Sequence, residues 1–136
     1  MSDTALLKTR SIPAPQVNPE TEAFWDAARE GRFLIRACLS CGRSHWYPRA
    51  VCPFCASEET EWRPASGLGT IYSCSAMLQA AEPYVIAYVT LDEGPTMLTN
   101  IVECDPRTVR IGQRVSVVFQ PSDDGTPVPM FRPSEG

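Results

Sequence analysis

The sequence predicts a mainly β protein in which a short N-terminal helix and a cysteine-rich ribbon precede a small closed barrel of five strands. Three observations lead to this prediction. Two Cys-x-x-Cys pairs lie close together, an amphipathic segment precedes them, and short β-rich runs separated by turn residues follow them. A chain of 136 residues has room for these two folding units and no more. We therefore expect an extended arm at 1–17, the helix and ribbon at 18–65, and the barrel at 66–136.

The N-terminal part predicts an arm and one helix. Pro13 and Pro15 stand among small and polar residues, a composition typical of an extended segment lying on a surface. In NPETEAFWDAAREG, Asn18 is the expected cap, Pro19 suits the first helical position and Gly31 suits the end of the helix. The expected apolar stripe contains Ala23, Phe24, Ala27 and Ala28.

The cysteine pairs predict a metal site. Each Cys-x-x-Cys turn brings two sulfurs close to one ion, and two such turns supply a closed tetrahedral set of four thiolates. The predicted ligands are Cys38, Cys41, Cys52 and Cys55. Residues 42–51 are too few for a helix between the pairs, so we expect a short two-stranded ribbon there. Zinc is the predicted metal, one ion per chain.

Two alternatives to this zinc site stay open at the level of sequence. The same four-sulfur geometry accepts iron, which would make the protein an electron carrier. Buried or disulfide-bonded cysteines are the other alternative, and a reducing cytoplasm, the expected compartment, disfavours disulfides. Gly42 follows the first pair and Ala56 the second. If both turns need a positive φ, Ala56 costs roughly 1 kcal/mol relative to glycine.

Five runs after Ser66 predict the barrel strands. Each is rich in β-branched and aromatic residues and is bounded by turn residues. They are GLGTIYSCSAML, PYVIAYVTLDEG, TMLTNIVEC, RVSVVFQ and VPMFRP. Tyr72, Tyr84 and Tyr88 could stack on a base, but strand tyrosines more often bury the ring. Cys74 and Cys104 are expected to be small buried hydrophobes.

Composition and charge argue against several classes of function. A formal net charge of −4, with no lysine after Ser66, disfavours binding of nucleic acid. No apolar run has the length of a membrane span or of a signal-peptide core. With His45 as the only histidine and no phosphate loop, catalysis by this chain alone is not expected. Asp92, Glu93 and Glu103 are expected to be solvated charges.

The order of these motifs resembles a known family. It is the group of acyl-CoA-associated proteins that combine a rubredoxin-like zinc ribbon with an oligonucleotide/oligosaccharide-binding (OB) barrel, long classed as a domain of unknown function. The resemblance covers roughly Phe24 to Pro133. The matching segments are FWDAAREGRFLIRAC, CLSCG, YPRAVCPFC, EWRPASGLGTIYS, YVIAYVTLDEG, TNIVE, IGQRVSVVF and PMFRP.

This resemblance implies a non-catalytic accessory subunit of a thiolase-like enzyme in acyl-CoA metabolism, sometimes joined by a hydratase-type subunit. The partner would supply the catalytic groups for C–C bond cleavage or formation. The implied acyl-CoA role makes Arg43 and Arg49 candidates for binding the coenzyme phosphates, with ordinary solvated arginines as the alternative. Trp46, Tyr47 and Phe54 would anchor the partner, unless they pack the ribbon on the barrel. The rival hypothesis is a module that binds single-stranded nucleic acid.

Overall fold

The computed structural model describes residues 11–47 and 49–134. Along the described chain a helix, α1 (Glu22–Arg29), precedes the strands β1 (Leu34–Cys38), β2 (Ser44–His45) and β3 (Thr60–Pro64). The strands β4 (Leu68–Met77), β5 (Tyr84–Leu91), β6 (Thr96–Ile101), β7 (Arg114–Pro121) and β8 (Pro127–Pro133) follow, with a 3-10 helix at Pro106–Thr108. The predicted mainly β architecture is confirmed.

The helix is shorter than the sequence predicted. The Asn18 side chain accepts hydrogen bonds from the N–H groups of Glu20 and Thr21, so it caps a turn that precedes the helix. Helix α1 then begins at Glu22 and is followed by Gly31, whose φ is +79°. Phe24, Ala27 and Ala28 are buried as expected, whereas Ala23 is exposed, because eight residues present only a narrow buried stripe.

The ribbon is a three-stranded sheet of order β2-β1-β3. Its central strand, β1, pairs antiparallel with both neighbours. The expectation of a two-stranded ribbon between the cysteine pairs is wrong. Residues 42–47 and 49–51 contain one strand, β2, and it pairs with β1, which precedes the first knuckle. The first cysteine pair lies in the turn that joins them, and a knuckle that reverses the chain favours this pairing.

The five C-terminal strands form a closed barrel of order β4-β5-β6-β8-β7. Alternation along β5 and β6 places Val85, Ala87 and Val89 inside and Tyr88 and Leu98 outside. A bulge between Ile71 and Ser73 adds one residue to β4 opposite β5. At the start of β4 only glycine fits, because a Cβ on Gly69 would lie 2.6 Å from Val89 Cγ1 and 2.8 Å from the Thr90 carbonyl oxygen.

One aromatic cluster joins the helix and ribbon to the barrel. Phe33 lies at its centre, with ring centroids 5.4 Å from Trp46, 6.4 Å from Phe119 and 6.3 Å from Phe131. Phe24 of the helix contacts the same Trp46 at 5.2 Å. Trp46 therefore packs inside the molecule, which is the packing alternative stated for it above.

The described part of the arm lies on the barrel. Ser11 Oγ donates to Asp123 Oδ1 at 2.8 Å, and the Asp123 N–H donates to the Ile12 carbonyl at the same distance. The prediction for residues 1–10 lies outside the described residues. Within residues 11–47 and 49–134, no helix is long and apolar enough to cross a membrane.

Candidate metal centre

The two cysteine pairs form knuckles with the same backbone hydrogen bonds. In the first knuckle, the N–H of Gly42 donates to the Cys38 carbonyl at 3.0 Å. In the second, the N–H of Ala56 donates to the Cys52 carbonyl at 2.9 Å. Backbone N–H groups also approach sulfur, from Cys41 to Cys38 Sγ and from Phe54 to Cys52 Sγ, each at 3.4 Å. The two turns therefore share their backbone hydrogen bonds, while the N–H that contacts sulfur comes three residues after the cysteine in the first and two in the second.

The sulfurs come together at the spacing that a tetrahedral metal site requires. All four Sγ atoms lie within 4.8 Å of one another, with Cys38 to Cys55 at 3.6 Å and Cys41 to Cys52 at 3.8 Å. Metal–sulfur bonds of about 2.3 Å give a tetrahedron whose edges are about 3.8 Å. A disulfide would require about 2.05 Å between sulfurs. The four cysteines are free thiols, and their geometry fits one metal ion.

Electrostatics also favours a cation among these sulfurs. The N–H of Cys41 bonds the Cys38 sulfur and lowers the pKa of that thiol to about 6. For Cys55, the Ser57 N–H acts in the same direction, but desolvation and the neighbouring sulfurs outweigh it and raise the pKa to about 12. The four groups cannot all ionise side by side without a positive charge between them. A divalent cation removes this conflict by binding all of them as thiolates.

Three side chains hold the loop that precedes the second knuckle. Glu20 Oε2 accepts from the Ala50 N–H at 2.9 Å, and Thr60 Oγ1 donates to the Ala50 carbonyl at 2.7 Å. His45 is buried, with its Nε2 3.3 Å from the Arg49 carbonyl oxygen. The His45 ring therefore contacts the backbone of this loop. Sequence analysis missed Glu20 and Thr60, because nothing local marks a side chain that bonds a distant loop.

Arg43 and Arg49 each lie over an aromatic ring of the ribbon. The Arg43 guanidinium carbon is 4.6 Å from the Phe54 ring centroid, and that of Arg49 is 5.0 Å from the centroid of Tyr47. Phe54 and Tyr47 are 53% and 57% exposed. We call the exposed residues of this region the ribbon tip. It consists of Leu39, Arg43, Tyr47, Arg49, Val51 and Phe54.

Leu39 and Val51 were not singled out by the sequence analysis. They are 56% and 44% exposed and extend the apolar surface of the tip. The exposure of Leu39 could have been predicted from its position directly after the first cysteine of a pair. The residues between two metal-binding cysteines face solvent when the metal site is closed.

The carboxylates do not come together. Asp92 accepts two hydrogen bonds from Arg114, at 2.8 and 2.9 Å, and these bonds lower the pKa of its carboxyl group. Glu103 forms an ion pair with Arg132, and Glu93 accepts from the Ser66 N–H. All three side chains are exposed, as expected for solvated charges, and neighbours that are distant in sequence supply a hydrogen-bond or ion-pair partner for each.

The remaining candidates lie in the barrel. Cys74 and Cys104 are half-buried, and Cys104 lies after the end of β6 rather than inside a strand. Tyr84 is half-buried. The expectation of buried rings is wrong for Tyr72 and Tyr88, which are 69% and 47% exposed, because both face outward where no other element covers them.

Comparisons with known proteins agree with this architecture. The family model described as the ChsH2 rubredoxin-like zinc ribbon domain matches residues 25–61, and that of the ChsH2 C-terminal OB-fold domain matches residues 62–120. A DUF35 domain-containing scaffold protein of Methanocaldococcus jannaschii is 35% identical over 113 residues, covering 74% of this chain and 80% of that protein.

Two further relatives carry names that refer to enzymes. A protein of Thermomonospora curvata named "Probable enoyl-CoA hydratase alpha subunit" is 31% identical over 127 residues, which cover 90% of this chain. The matched region spans 40% of the length of that relative. The solved structure of an Ltp2-ChsH2(DUF35) aldolase has 30% identity and a TM-score of 0.76, covering 88% of this chain and 98% of the matched chain. The described chain therefore belongs to the DUF35 family of proteins that combine a ChsH2-type zinc ribbon with an OB-fold domain.

Proposed function

We propose that this protein is a non-catalytic, zinc-binding accessory subunit of a thiolase-like enzyme complex that cleaves or forms C–C bonds in acyl-CoA metabolism. The ribbon tip is the observation that carries the proposal: a rigid turn pair presents two aromatic rings, each with an arginine over it, to solvent. The names of the relatives support it, since they include scaffold proteins and an aldolase complex. We place the protein in the cytoplasm, where thiols stay reduced.

The metal in this proposal is zinc, one ion per chain, held by Cys38, Cys41, Cys52 and Cys55. Four thiolates fill a tetrahedral coordination sphere, so the ion has no open position for water or substrate. Its contribution is then mechanical, because it fixes two turns that could not bury a sufficient core alone. The description of the matching domain as a zinc ribbon supports zinc over iron.

The ribbon tip has the composition of a protein-binding surface. Tyrosine, phenylalanine and arginine are enriched at the energetic centres of interfaces, where burying a ring stabilises the complex most. Tyr47 and Phe54 each expose more than half of their surface. In the accessory-subunit role these two rings contact the catalytic partner, while Trp46 keeps the ribbon attached to the helix.

Arg43 and Arg49 are also suited to bind the phosphates of coenzyme A beside that contact. Both lie in the segment between the knuckles, and the ring below each guanidinium restricts its rotamers. A guanidinium that is already oriented loses less entropy when it binds phosphate, and its planar fork can donate two hydrogen bonds. The proposed role is therefore to assist acyl-CoA binding at the edge of the partner.

The experiment that tests this function is affinity capture from the source organism with identification of the bound proteins, followed by an assay of the reconstituted pair. We expect a thiolase-fold subunit among the captured proteins, and we expect the reconstituted pair to perform carbon–carbon bond chemistry that neither protein performs alone. Full activity of the partner without this chain would contradict the proposal, as would activity of this chain by itself.

Coenzyme binding is tested separately by calorimetry with coenzyme A on the reconstituted pair. Arg43→Ala and Arg49→Ala should each weaken binding about tenfold, the effect of losing one charge-assisted phosphate contact. Arg107→Ala is the matched control, because Arg107 is an exposed arginine that forms an ion pair with neighbouring Asp105 and lies outside the ribbon tip. Equal affinities for all three variants would remove the arginines from the coenzyme site.

A further inference from the structure

The outward side of strands β4, β5 and β6 carries exposed aromatic and aliphatic side chains among small, uncharged polar ones. The register places Ser73 opposite Tyr88 and Tyr88 opposite Leu98, and the next row places Ser75 opposite Ile86. The bulge directs Tyr72 to the same side as Ser73. We call this surface the outer barrel face. Its aromatic and aliphatic members are Tyr72, Met77, Ile86, Tyr88 and Leu98, and the uncharged polar side chain of Asn100 lies opposite Ile86.

Several of these side chains are open to solvent. Tyr72 is 69% exposed, Leu98 56%, Tyr88 47% and Met77 37%. Leu78, at 44%, continues the apolar surface onto the turn between β4 and β5. Isolated exposed hydrophobes need no explanation, but a contiguous set on one sheet face marks an interaction site. The strand pairing makes this set contiguous.

The outer barrel face carries no net charge. Arg114 lies at its rim beside Thr70, and its guanidinium is neutralised by two hydrogen bonds to Asp92. In the next row, the hydroxyls of Thr90 and Thr96 bond each other at 2.9 Å. A ligand with phosphates would find no unpaired cation along these described strands. We therefore expect the complementary surface to be uncharged, with apolar groups against the exposed rings and Leu98.

We propose that the outer barrel face is a second docking surface, separate from the ribbon tip, for an uncharged apolar patch on the thiolase-fold subunit. This inference rests on the proposed function for the identity of the partner. The two surfaces have different chemistry, since the tip presents arginines and the barrel face presents none that is unpaired. The outer barrel face thus adds apolar buried area to the complex and helps to fix the orientation of the two subunits, while the charged contacts are made at the ribbon tip.

The size of the face favours this occupant over a second copy of the chain. Three strands about 4.8 Å apart, followed for about 20 Å, cover roughly 300 Å². A stable dimer needs about 800 Å² from each partner. The face alone is therefore too small to hold two copies of the chain together, whereas the thiolase-fold subunit of the proposed function would also bury the ribbon tip.

The test measures the affinity of the purified thiolase-fold subunit for variants of the full chain by surface plasmon resonance. Leu98→Glu and Leu98→Lys should each weaken binding by about tenfold or more, because a charge of either sign would be buried against an apolar patch. Leu98→Met and Tyr88→Phe are the matched controls and should bind within about twofold of the wild type. Zinc content and circular dichroism establish that each variant is folded.

Oxidative footprinting of the wild-type complex tests, without any substitution, whether the outer barrel face is covered by the partner. Met77 and Tyr88 should be protected from hydroxyl radicals when the subunit is bound, whereas Ile111, which is exposed at 69%, gives the level for an uncovered apolar residue.

The outcomes separate the two proposals. If Leu98→Glu and Leu98→Lys bind like the wild type while Phe54→Ala binds weakly, the outer barrel face is not a docking surface and the proposed function stands. If Leu98→Lys binds more tightly than the wild type, the partner surface is acidic and the inference is wrong. If the wild-type chain binds no thiolase-fold subunit at all, both proposals fail.

Discussion

Gly42 and Ala56 occupy equivalent positions in the two knuckles. Each follows the second cysteine of its pair and donates its N–H to the carbonyl of the first, and their φ angles are 78° and 65°. A left-handed φ costs a residue with a Cβ about 1 kcal/mol more than it costs glycine. The second knuckle therefore carries a strain that the first does not.

This pair gives the first prediction. Ala56→Gly should raise the free energy of unfolding of the zinc-loaded protein by up to about 1 kcal/mol, and Gly42→Ala should lower it by a similar amount. A Cβ on Gly42 would meet no atom within 4 Å, so the effect of that substitution is purely conformational. Denaturant titration at saturating zinc measures both. Changes of the same sign in the two variants would refute the equivalence of the knuckles.

The metal itself gives the second prediction. Purified protein should contain one zinc per chain by elemental analysis, and Cys38→Ser should lose it together with the order of the ribbon, because metal binding and folding are coupled. Cys74→Ser is the matched control, since Cys74 lies in β4 outside the group of four sulfurs, and it should keep its zinc. Iron with visible colour in the wild type would overturn the assignment.

The pair Asp92 and Arg114 gives a prediction of pH dependence. The hydrogen bonds from Arg114 lower the pKa of Asp92 below its ordinary value, so the ionised carboxylate stabilises the folded state. That contribution is complete above the unfolded-state pKa of about 3.9 and is lost as the pH falls through the lower folded-state value. Asp92→Asn should therefore be less stable than the wild type at neutral pH, and the difference should vanish in acid.

Urea titrations of both proteins across this pH range measure that difference. Loss of zinc in acid affects the two proteins alike, so the gap between them isolates the carboxylate. Asp105→Asn is the control for removing an acid, because Asp105 pairs with Arg107 at 3.6 Å with both side chains more than half exposed. A difference in unfolding free energy that stays constant down to pH 2 would show that protonation of Asp92 does not affect the stability of the folded state.

The fourth prediction concerns nucleic acid. The protein should show no micromolar affinity for a fluorescent single-stranded oligonucleotide at physiological salt, because the net charge is −4 and the outer barrel face has no unpaired cation among its described residues. Fluorescence anisotropy at two salt concentrations is the measurement. Binding that weakens steeply as salt rises would favour the nucleic-acid module instead.

Expectations that depended on local pattern agree with the structure. The predicted strand runs contain the observed strands at nearly the same residues, because alternation and turn chemistry are properties of neighbours in sequence. The four cysteines also come together as expected: each Cys-x-x-Cys turn brings its own two sulfurs close, and the folded ribbon brings the two turns together. Strand pairing, in contrast, does not follow from neighbouring residues in the sequence. The single strand between the knuckles, β2, pairs with β1.

The sequence by itself determined which residues could bind a metal, where the strands lie and that the net charge is negative. Only the tertiary structure decided which aromatic rings are free for partners. Trp46 and Tyr47 are adjacent in the chain, yet Trp46 packs against Phe24 and Phe33 while Tyr47 is exposed. Tyr88 likewise remains outside the barrel while Val89 lies within it. Whether a ring is covered depends on which distant element packs against it, and that is set by the whole fold.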